Sequence, residues 1–380
     1  AVSFDAAGAA AAAGRIRAAG DRGAILLGSG AKAAGASVVA LAERLGWRVA
    51  TTPRGKGGFP EDHPLSLGVY GLSAHPQASE VLNGSGHDVL LIVGSTLGEL
   101  ATSNWEPRLV EGRTLIQIDY DAAELGKVYD VHFPVLGDVR DVIPALLEQL
   151  PPVSGTAAWQ ELAAARAEAA AAAVAVEPLA AGSGEAEAWN TRAAIRRLSE
   201  IAPGNARFSL DIGEFMTYSI QNLLIERGQA FDIDINFGGM GSGIGSALGA
   251  QLAEPERPTI CVTGDGCFFM HGMEVLTAKE YDLPIVFVVI NNARLGMVYH
   301  GHMLQYKRCL DDFSQARTSI AGVAQALGLR YAEVSSLAQL EAQHMQAWLG
   351  GGPVVVEVIV DGNEIPPMGE RVKFLQGATY

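Results

Sequence analysis

The feature that most constrains the fold is a set of short apolar runs that alternate along the chain with segments of helix length. Strands that are apolar along their whole length, with helices between them, are typical of parallel sheets covered on both faces. The pattern therefore predicts an α/β fold with two doubly wound parallel sheets. The eight runs are "GAILLG" at 23–28, "WRVATT" at 47–52, "DVLLIVG" at 88–94, "TLIQID" at 114–119, "RFSLDIG" at 207–213, "PTICVTGDG" at 258–266, "IVFVVINN" at 285–292 and "PVVVEVIV" at 353–360.

A change of composition separates the first four runs from the last four. Between about residues 151 and 188 the chain combines Pro, Gly and Ser with a long alanine run and carries little apolar bulk. This composition predicts a peripheral helix and a linker. The predicted domains are residues 1–150 and 189–380, joined by residues 151–188, and 380 residues suffice for two cores.

The charge balance limits the partners. The chain carries 42 acidic and 27 basic residues, which gives a net charge of −15 and argues against binding to nucleic acid. The longest strongly apolar run, at 283–290, is far shorter than the roughly 20 residues that span a bilayer, so no membrane anchor is expected.

The cysteines and the amino terminus indicate the compartment. Cys261, Cys267 and Cys309 show neither CxxC spacing nor a metal-ligand cluster, which is typical of core cysteines in a reducing, cytoplasmic environment. The first residues, "AVSFDAAGAAAAAG", lack the pattern of a signal peptide. We interpret them as the start of a processed chain or of a fragment.

Two short polar motifs follow neighbouring apolar runs. Gly264-Asp265-Gly266 ends one run, and Asn291-Asn292 ends the next, with Asn292 placed 27 positions after Asp265. Ligands of open parallel sheets bind beyond the carboxyl ends of the strands, where both motifs fall. A carboxylate and an amide oxygen suit Mg²⁺, which commonly completes its coordination shell with phosphate oxygens. Either motif alone would be explained by a plain turn or a capping pair, whereas the two together predict a site for a Mg-diphosphate.

A third motif, "NFGGMGSGIGSALGAQLA" at 236–253, allows two interpretations. Its glycines at 241, 243 and 245 resemble a dinucleotide-binding turn, but no strand leads directly into them and no acidic residue follows at the expected distance. We favour the second interpretation. Met240 stands 25 residues before Asp265 and precedes a helix of small residues that can pack closely against a cofactor.

On these motifs the sequence resembles the thiamine diphosphate-dependent enzymes of the acetolactate synthase and pyruvate oxidase group. The resemblance implies that Asp265, Asn292 and the main-chain oxygen of Arg294 bind Mg²⁺. It also implies that Met240 props the cofactor into its bent, reactive shape. The cofactor-binding residues implied by the resemblance are Gly213, Glu214, Gly239, Met240, Gly264, Asp265, Gly266, Cys267, Asn292, Gly296 and Met297.

The first half of the chain extends the resemblance. The segments "VATTPRGKGGFPEDHPLSLGVYG" at 49–71 and "IDYDAAELGK" at 118–127 are similar to the Rossmann-like central domain of the same enzymes. A central domain that precedes the diphosphate-binding domain is the order found in the decarboxylase, synthase and oxidase branch. The resemblance thus covers nearly the whole chain.

The same resemblance implies a partner. Enzymes of this group carry a pyrimidine-binding domain whose glutamate activates the cofactor, and nothing in these 380 residues matches it. We expect another chain to supply that domain or a cleavage to have removed it. We also expect an oligomer, homomeric or heteromeric.

Three further features leave alternatives open. Tyr299, His300 and His302 follow the metal motif where the family forms its substrate channel, so His300 and His302 are candidate catalytic residues together with Met240, against an ordinary surface loop. Gly28-Ser29-Gly30 would suit a nucleotide such as FAD. The segment 94–107 departs from the family's flavin-binding pattern, so we expect a central domain without flavin.

The expected function is that of a lyase or carboligase that uses thiamine diphosphate and Mg²⁺ and acts on a 2-oxo acid or an aldehyde. The first alternative is a flavin-containing acetolactate synthase or an oxidase. The second belongs to another class and is a non-catalytic, nucleotide-binding subunit. The joint presence of Asp265, Asn292 and Met240 argues against the second alternative.

Overall fold

A computed structural model describes residues 5–151 and 189–368 of the chain. The chain divides into two compact units, and the described part of each unit has its own sheet. The predicted alanine-rich helix and linker lies, apart from Pro151, outside the described residues.

The first unit is a six-stranded parallel sheet with the strand order β3-β2-β1-β4-β5-β6. Its strands are β1 (Gly23–Leu27), β2 (Arg48–Thr51), β3 (Ser66–Val69), β4 (Val89–Val93), β5 (Thr114–Asp119) and β6 (Phe133–Leu136). Its α-helices are α1 (Ala6–Ala19), α2 (Gly35–Leu45), α3 (Pro76–Asn83) and α4 (Val139–Gln149).

Both faces of this sheet are covered because alternate residues of each central strand point to opposite sides. Ile25 and Leu27 of β1 belong to a buried cluster that includes residues of α1, α2 and α4. Ala24 and Leu26 of the same strand belong to another cluster, which includes α3 residues. The continuous apolar pattern of β1 therefore reflects burial on two sides.

The second unit is also a six-stranded parallel sheet, with the order β11-β12-β10-β9-β7-β8. Its strands are β7 (Arg207–Leu210), β8 (Ala230–Ile233), β9 (Thr259–Gly264), β10 (Ile285–Asn291), β11 (Arg330–Val334) and β12 (Val354–Ile359). Its α-helices are α5 (Thr191–Ile201), α6 (Glu214–Asn222), α7 (Ser242–Ala253), α8 (Asp265–His271), α9 (Val275–Glu280), α10 (Gly296–Tyr306), α11 (Ile320–Ala326) and α12 (Ala342–Leu349).

The predicted α/β class with two parallel sheets is confirmed, and each of the eight predicted runs contains a strand. Four strands, β3, β6, β8 and β11, are additional to the prediction, and all four are edge strands. No helix among residues 5–151 and 189–368 is long and apolar enough to cross a membrane.

The strand orders fix where each sheet can bind a ligand. In the first unit, successive connections lead in opposite directions from the β1/β4 boundary, and in the second unit from the β7/β9 boundary. The crevice beyond the carboxyl ends of the strands at such a switch point is the usual binding site of a doubly wound sheet.

Candidate functional site

A cleft with an empty volume of about 650 Å³ lies at the switch point of the second unit. It is bordered by the segments that follow β7, β9 and β10 and by the residue Met240, which precedes α7. The lining residues are Thr191, Ile212, Gly213, Glu214, Phe215, Met240, Gly264, Asp265, Gly266, Cys267, Ile290, Asn292, Arg294, Leu295, Gly296, Met297 and Val298.

Three helices begin at this cleft. The first residues of α6, α8 and α10 are Glu214, Asp265 and Gly296, and all three line it. The N–H groups of a first helical turn have no main-chain partner within the helix, and the helix dipole places partial positive charge there. The cleft therefore suits an anion such as a phosphate group.

Glycines keep the cleft open. A Cβ on Gly266 would lie 3.1 Å from Met240 Cε and 3.3 Å from Leu295 Cδ2, which are two of the side chains that border the cleft. A Cβ on Gly296 would lie within 1.4 Å of Glu214 Oε2. Side chains at these two positions would fill the space or displace the residues that line it.

The predicted metal ligands lie at the ends of adjacent strands, and hydrogen bonds from main-chain N–H groups hold their side chains. Asp265 Oδ1 accepts the N–H of Gly266 at 2.8 Å, and Asp265 Oδ2 accepts the N–H of Ala293 at 2.9 Å. Asn292 Oδ1 accepts the N–H of Arg294 at 3.1 Å. Each of these oxygens retains a second lone pair for a cation. Burial raises the pKa of Asp265, a cost that a bound divalent cation would relieve.

The Arg294 side chain is engaged in other contacts and is not one of the predicted metal ligands. Its Nη1 donates to the carbonyl of Gly362 at 3.1 Å and to Asn363 Oδ1 at 3.2 Å. Its guanidinium carbon lies 4.3 Å from the centre of the Tyr299 ring, a cation–π contact. The contribution predicted for this residue, its main-chain oxygen, does not depend on that side chain.

Asp211 holds the loops of the site together and was not predicted as a site residue. It is completely buried at the end of β7, and its Oδ1 accepts the N–H of Gly241 at 2.8 Å. Its Oδ2 accepts the hydroxyl of Thr263, on β9, also at 2.8 Å. A Cβ on Gly243 would lie 2.6 Å from the Asp211 backbone nitrogen. This close packing, and not a dinucleotide, explains the glycine at 243.

Glu214 is a buried polar residue of the cleft whose side chain has no hydrogen-bond partner among the described residues, and the hydroxyl of Thr191, which also lines the cleft, is a second such group. The Glu214 side chain is 4% exposed, and neither carboxyl oxygen has a hydrogen-bond partner among the described residues. Burial, reinforced by the charge of Glu364, raises the pKa of Glu214 to about 8. The carboxyl group therefore holds its proton near neutral pH and can donate a hydrogen bond to an anion in the cleft.

The two candidate catalytic histidines lie on α10 and not in a loop, and neither lines the cleft. His300 is buried behind Glu214, with its Nε2 3.2 Å from the carbonyl oxygen of Gly362 and 3.8 Å from Glu214 Oε2. Burial lowers the pKa of His300. The Nδ1 of His302 lies 3.4 Å from the Sγ of Cys309, and its ring packs against Tyr306 and Phe313. The structure thus separates the two histidines.

The other predicted residues converge on the cleft with one exception. Met240, Cys267 and Met297 line it together with the glycines at 213, 264, 266 and 296, whereas Gly239 does not. Cys267 is buried, its Sγ donates to the carbonyl of Ile212 at 2.9 Å, and burial raises its pKa to about 12. A neutral thiol is the result, so Cys267 packs against the site and is not a nucleophile.

The donor set fits a Mg-diphosphate. One carboxylate, one amide oxygen and main-chain oxygens are hard ligands that leave coordination positions for phosphate oxygens. Three helix N-termini, a space kept open by glycines and the unpartnered Glu214 carboxyl complete an anion site. No group of three or more His, Cys, Asp and Glu side chains suited to a metal occurs in the described ranges.

Comparison with known families agrees with this geometry. Residues 9–146 match the model "Thiamine pyrophosphate enzyme, central domain", and residues 211–358 match "Thiamine pyrophosphate enzyme, C-terminal TPP binding domain". The chain belongs to the thiamine pyrophosphate enzyme family. Its second unit is the TPP-binding domain of that family, and the cleft lies between the segments that carry the matched motifs.

Relatives cover most of this thiamine pyrophosphate enzyme chain at modest identity. A probable acetolactate synthase large subunit of Methanocaldococcus jannaschii is 28% identical over 381 residues, which cover 96% of this chain and 62% of the relative. A putative acetolactate synthase large subunit of Mycobacterium tuberculosis is 30% identical over 355 residues and is covered to 60%. The acetolactate synthase isozyme 1 large subunit of Escherichia coli is 28% identical over 351 residues, also covered to 60%. The chain therefore spans about three-fifths of the length of these relatives.

Proposed function

We propose that this chain is the greater part of a lyase or carboligase that depends on thiamine diphosphate and Mg²⁺ and acts on a 2-oxo acid or an aldehyde. When bound, the cofactor supplies an electron sink for breaking or making a C–C bond beside a carbonyl group. The observation that carries the proposal is the meeting of Asp265 and Asn292 at a cleft where three helices begin.

The residues of the cleft divide into three tasks. Asp265, Asn292 and the main-chain oxygen of Arg294 would hold the cation. The first turns of α6, α8 and α10 would hold the diphosphate, with the Glu214 carboxyl group as an additional hydrogen-bond donor. Met240, whose Cε lies close to Gly266, would support the rings of the cofactor from one side.

We also propose that activity needs a pyrimidine-binding domain, supplied by another chain or by the rest of a longer one. Large apolar side chains are exposed on the second unit, among them Phe237, Phe269, Met270 and Met273. Phe237 is 93% exposed only three residues before Met240, and Phe269 and Met270 lie on α8, which begins at Asp265. Exposed apolar groups of this kind beside a binding cleft are typical of a protein–protein contact.

Turnover by the purified chain, with and without a pyrimidine-binding-domain protein from a related acetolactate synthase, tests this proposal. We expect little or no turnover of pyruvate or aromatic 2-oxo acids by residues 1–380 alone, because nothing in them matches the domain whose glutamate activates the cofactor in related enzymes. The loss of general acid–base assistance of this kind costs roughly 10²–10⁴ in rate. Activity should appear when the second protein is added to the unmodified chain. It should be absent when the second protein is added to the Asp265→Asn variant of the chain. Substantial turnover by the chain alone, with its mass confirmed, would contradict the need for a second domain.

A further inference from the structure

The first asparagine of the Asn291-Asn292 pair is fixed by a residue that no motif singles out. Asn291 is 1% exposed, and its Nδ2 donates to Oε1 of Glu357 at 2.6 Å. Glu357 is itself 5% exposed and lies on β12, the strand that pairs with β10. Because the amide nitrogen is committed to Glu357, the amide oxygen must face the opposite way.

That oxygen faces the metal motif. Asn291 Oδ1 accepts the N–H of Ala293 at 3.1 Å, and the same N–H also donates to Oδ2 of Asp265 at 2.9 Å. Ala293 has a φ of +54°, in the left-handed region that residues other than glycine seldom occupy. The two acceptors hold the Ala293 N–H and thereby stabilise this turn.

A second side chain holds Glu357 from the edge of the sheet. The hydroxyl of Tyr331, on β11, donates to the other carboxyl oxygen of Glu357 at 2.6 Å. Hydrogen bonds thus run from Tyr331 to Glu357, Asn291 and Ala293, and end at Asp265. The side chains come from β11, β12 and β10 and from Asp265, which directly follows β9, and this is the order of the four strands in the sheet.

We propose that Glu357, supported by Tyr331, is a positioning residue that fixes the orientation of the Asn291 amide and thereby the shape of the loop 291–294, here named the metal loop. The effect on metal affinity rests on the proposed function. Residues one step removed from a metal orient its ligands, and their loss typically weakens metal binding about 10- to 100-fold. Glu357 acts on the ligands through an intermediate, because it binds Asn291, which shares the Ala293 N–H with Asp265 and directly precedes Asn292.

Two variants at Glu357 separate the orienting effect of its hydrogen bond to Asn291 from the space that its side chain fills. Glu357→Leu removes both acceptors and leaves the Asn291 amide free to turn over. Glu357→Gln keeps an oxygen that can accept from Asn291. Thr259→Val is a matched control, since Thr259 is equally buried in the sheet but lies at the opposite end of β9 from Asp265.

The first measurement needs no cofactor. We expect hydrogen exchange of the Ala293 amide, followed by NMR, to accelerate at least about tenfold in Glu357→Leu relative to the Phe287 amide of β10, because an orienting acceptor is lost. Glu357→Gln and Thr259→Val should leave this ratio unchanged. An unchanged ratio in Glu357→Leu would overturn the proposal. If neither amide exchanged faster, Glu357 would have no effect on the loop, and if both accelerated equally, the whole sheet would merely have lost stability.

The second measurement is the affinity for Mn²⁺ by electron paramagnetic resonance at saturating thiamine diphosphate. We expect affinity about 10- to 100-fold weaker in Glu357→Leu, rescue in Glu357→Gln and a smaller loss in Tyr331→Phe. Full Mn²⁺ affinity in Glu357→Leu would overturn the positioning role. If the unmodified chain bound no Mn²⁺ while Ala293 exchange still followed Glu357, the proposed metal site would fail and the positioning of the loop would stand.

Discussion

The two switch points of this molecule have the same kind of strand order and both carry glycines, yet they use them differently. In the first unit a Cβ on Gly28 would lie 2.1 Å from the carbonyl oxygen of Gly94, and a Cβ on Gly30 would lie 2.9 Å from the Gly94 Cα. These glycines let two backbones approach each other. In the second unit Gly266 and Gly296 border a cleft. A glycine at a strand end therefore indicates close approach, and its surroundings decide whether a ligand or another strand approaches.

A buried acid of the first unit has a hydrogen-bond partner within its own loop, whereas a buried acid of the second unit has none. Asp119, at the end of β5, accepts the N–H of Asp121 in its own loop at 3.0 Å. Glu214 lines the cleft of the second unit with both oxygens unpartnered among the described residues. An unpartnered buried carboxyl group is costly, so it is tolerated where a ligand is to satisfy it.

The largest effect that we expect from a single change concerns the metal. Asp265→Ala removes a charged oxygen ligand and the acceptor of two N–H groups. Thiamine diphosphate affinity in the presence of Mg²⁺ should fall at least about 100-fold, because the cation loses its charged ligand. Calorimetry measures this directly, and circular dichroism controls for folding. Unchanged affinity would remove the basis for the site.

A matched pair of glycine substitutions tests the difference between the switch points. Gly28→Ala places a methyl group against a carbonyl of the neighbouring strand and should reduce the free energy of unfolding by about 1–3 kcal/mol, an overpacking cost. In Gly266→Ala the new methyl group meets the ends of the Met240 and Leu295 side chains, which can move. This variant should therefore lose cofactor affinity and not stability. Urea unfolding and calorimetry on both variants give the two quantities. The reverse pattern would contradict our account of the two sites.

The pH dependence of stability should also differ between the units. Burial raises the pKa of Glu214 from 4.5 to about 8, so the folded protein keeps a proton that the unfolded chain releases, and this group stabilises the second unit less as pH rises through that range. Burial, aided by the charge of Arg113, lowers the pKa of His87 from 6.5 to about 4. The unfolded chain then takes up the proton first, and the first unit loses stability as pH falls through that range.

Hydrogen exchange reports on amides of each unit separately, so it measures the pH dependence of stability in the first and in the second unit. Between pH 4.5 and 6.5, protection of β10 amides should decrease with pH and that of β4 amides should increase. Glu214→Gln should flatten the first slope, which is at most about 1.4 kcal/mol per pH unit for one group, and His87→Leu should flatten the second. Slopes that do not respond to these substitutions would mean that other groups control them.

The smallest expected effect concerns flavin, which we predict to be absent from the first unit. The contacts of Gly28 and Gly30 with Gly94 account for the glycines without a nucleotide. We expect no visible flavin absorption in the purified protein, and no change in the thermal unfolding temperature of the first unit on adding FAD. A yellow protein would instead favour the flavin-containing synthase or oxidase.

The central strands could be predicted because burial on both faces makes their sequences continuously apolar, as in "VLLIV" of β4. The edge strands could not. In β11, "RYAEV", only Val334 is buried, and β6 contains a proline at an exposed position. These two edge strands are only partly covered, so they lack the continuous apolar pattern of a central strand, whereas β3 is buried along its length but contains Ser66 and Gly68.

The site was predictable where its residues follow strand ends in the sequence, as Asp265 and Asn292 do. It was not predictable where the contact joins distant strands, as for Asp211 with Thr263 or Glu357 with Asn291. The histidines show a third limit. His300 and His302 are two positions apart on α10, so they point to different sides of the helix, which their nearness to the metal motif in the sequence does not reveal.

The central claim is that the cleft of the second unit binds thiamine diphosphate through a cation. Isothermal titration of the unmodified chain with thiamine diphosphate, in Mg²⁺ and then in excess chelator, tests it most directly. The account predicts one cofactor bound per chain in Mg²⁺ and a loss of at least about 100-fold in affinity on chelation. Equal binding in both conditions, or no binding in Mg²⁺, would contradict it.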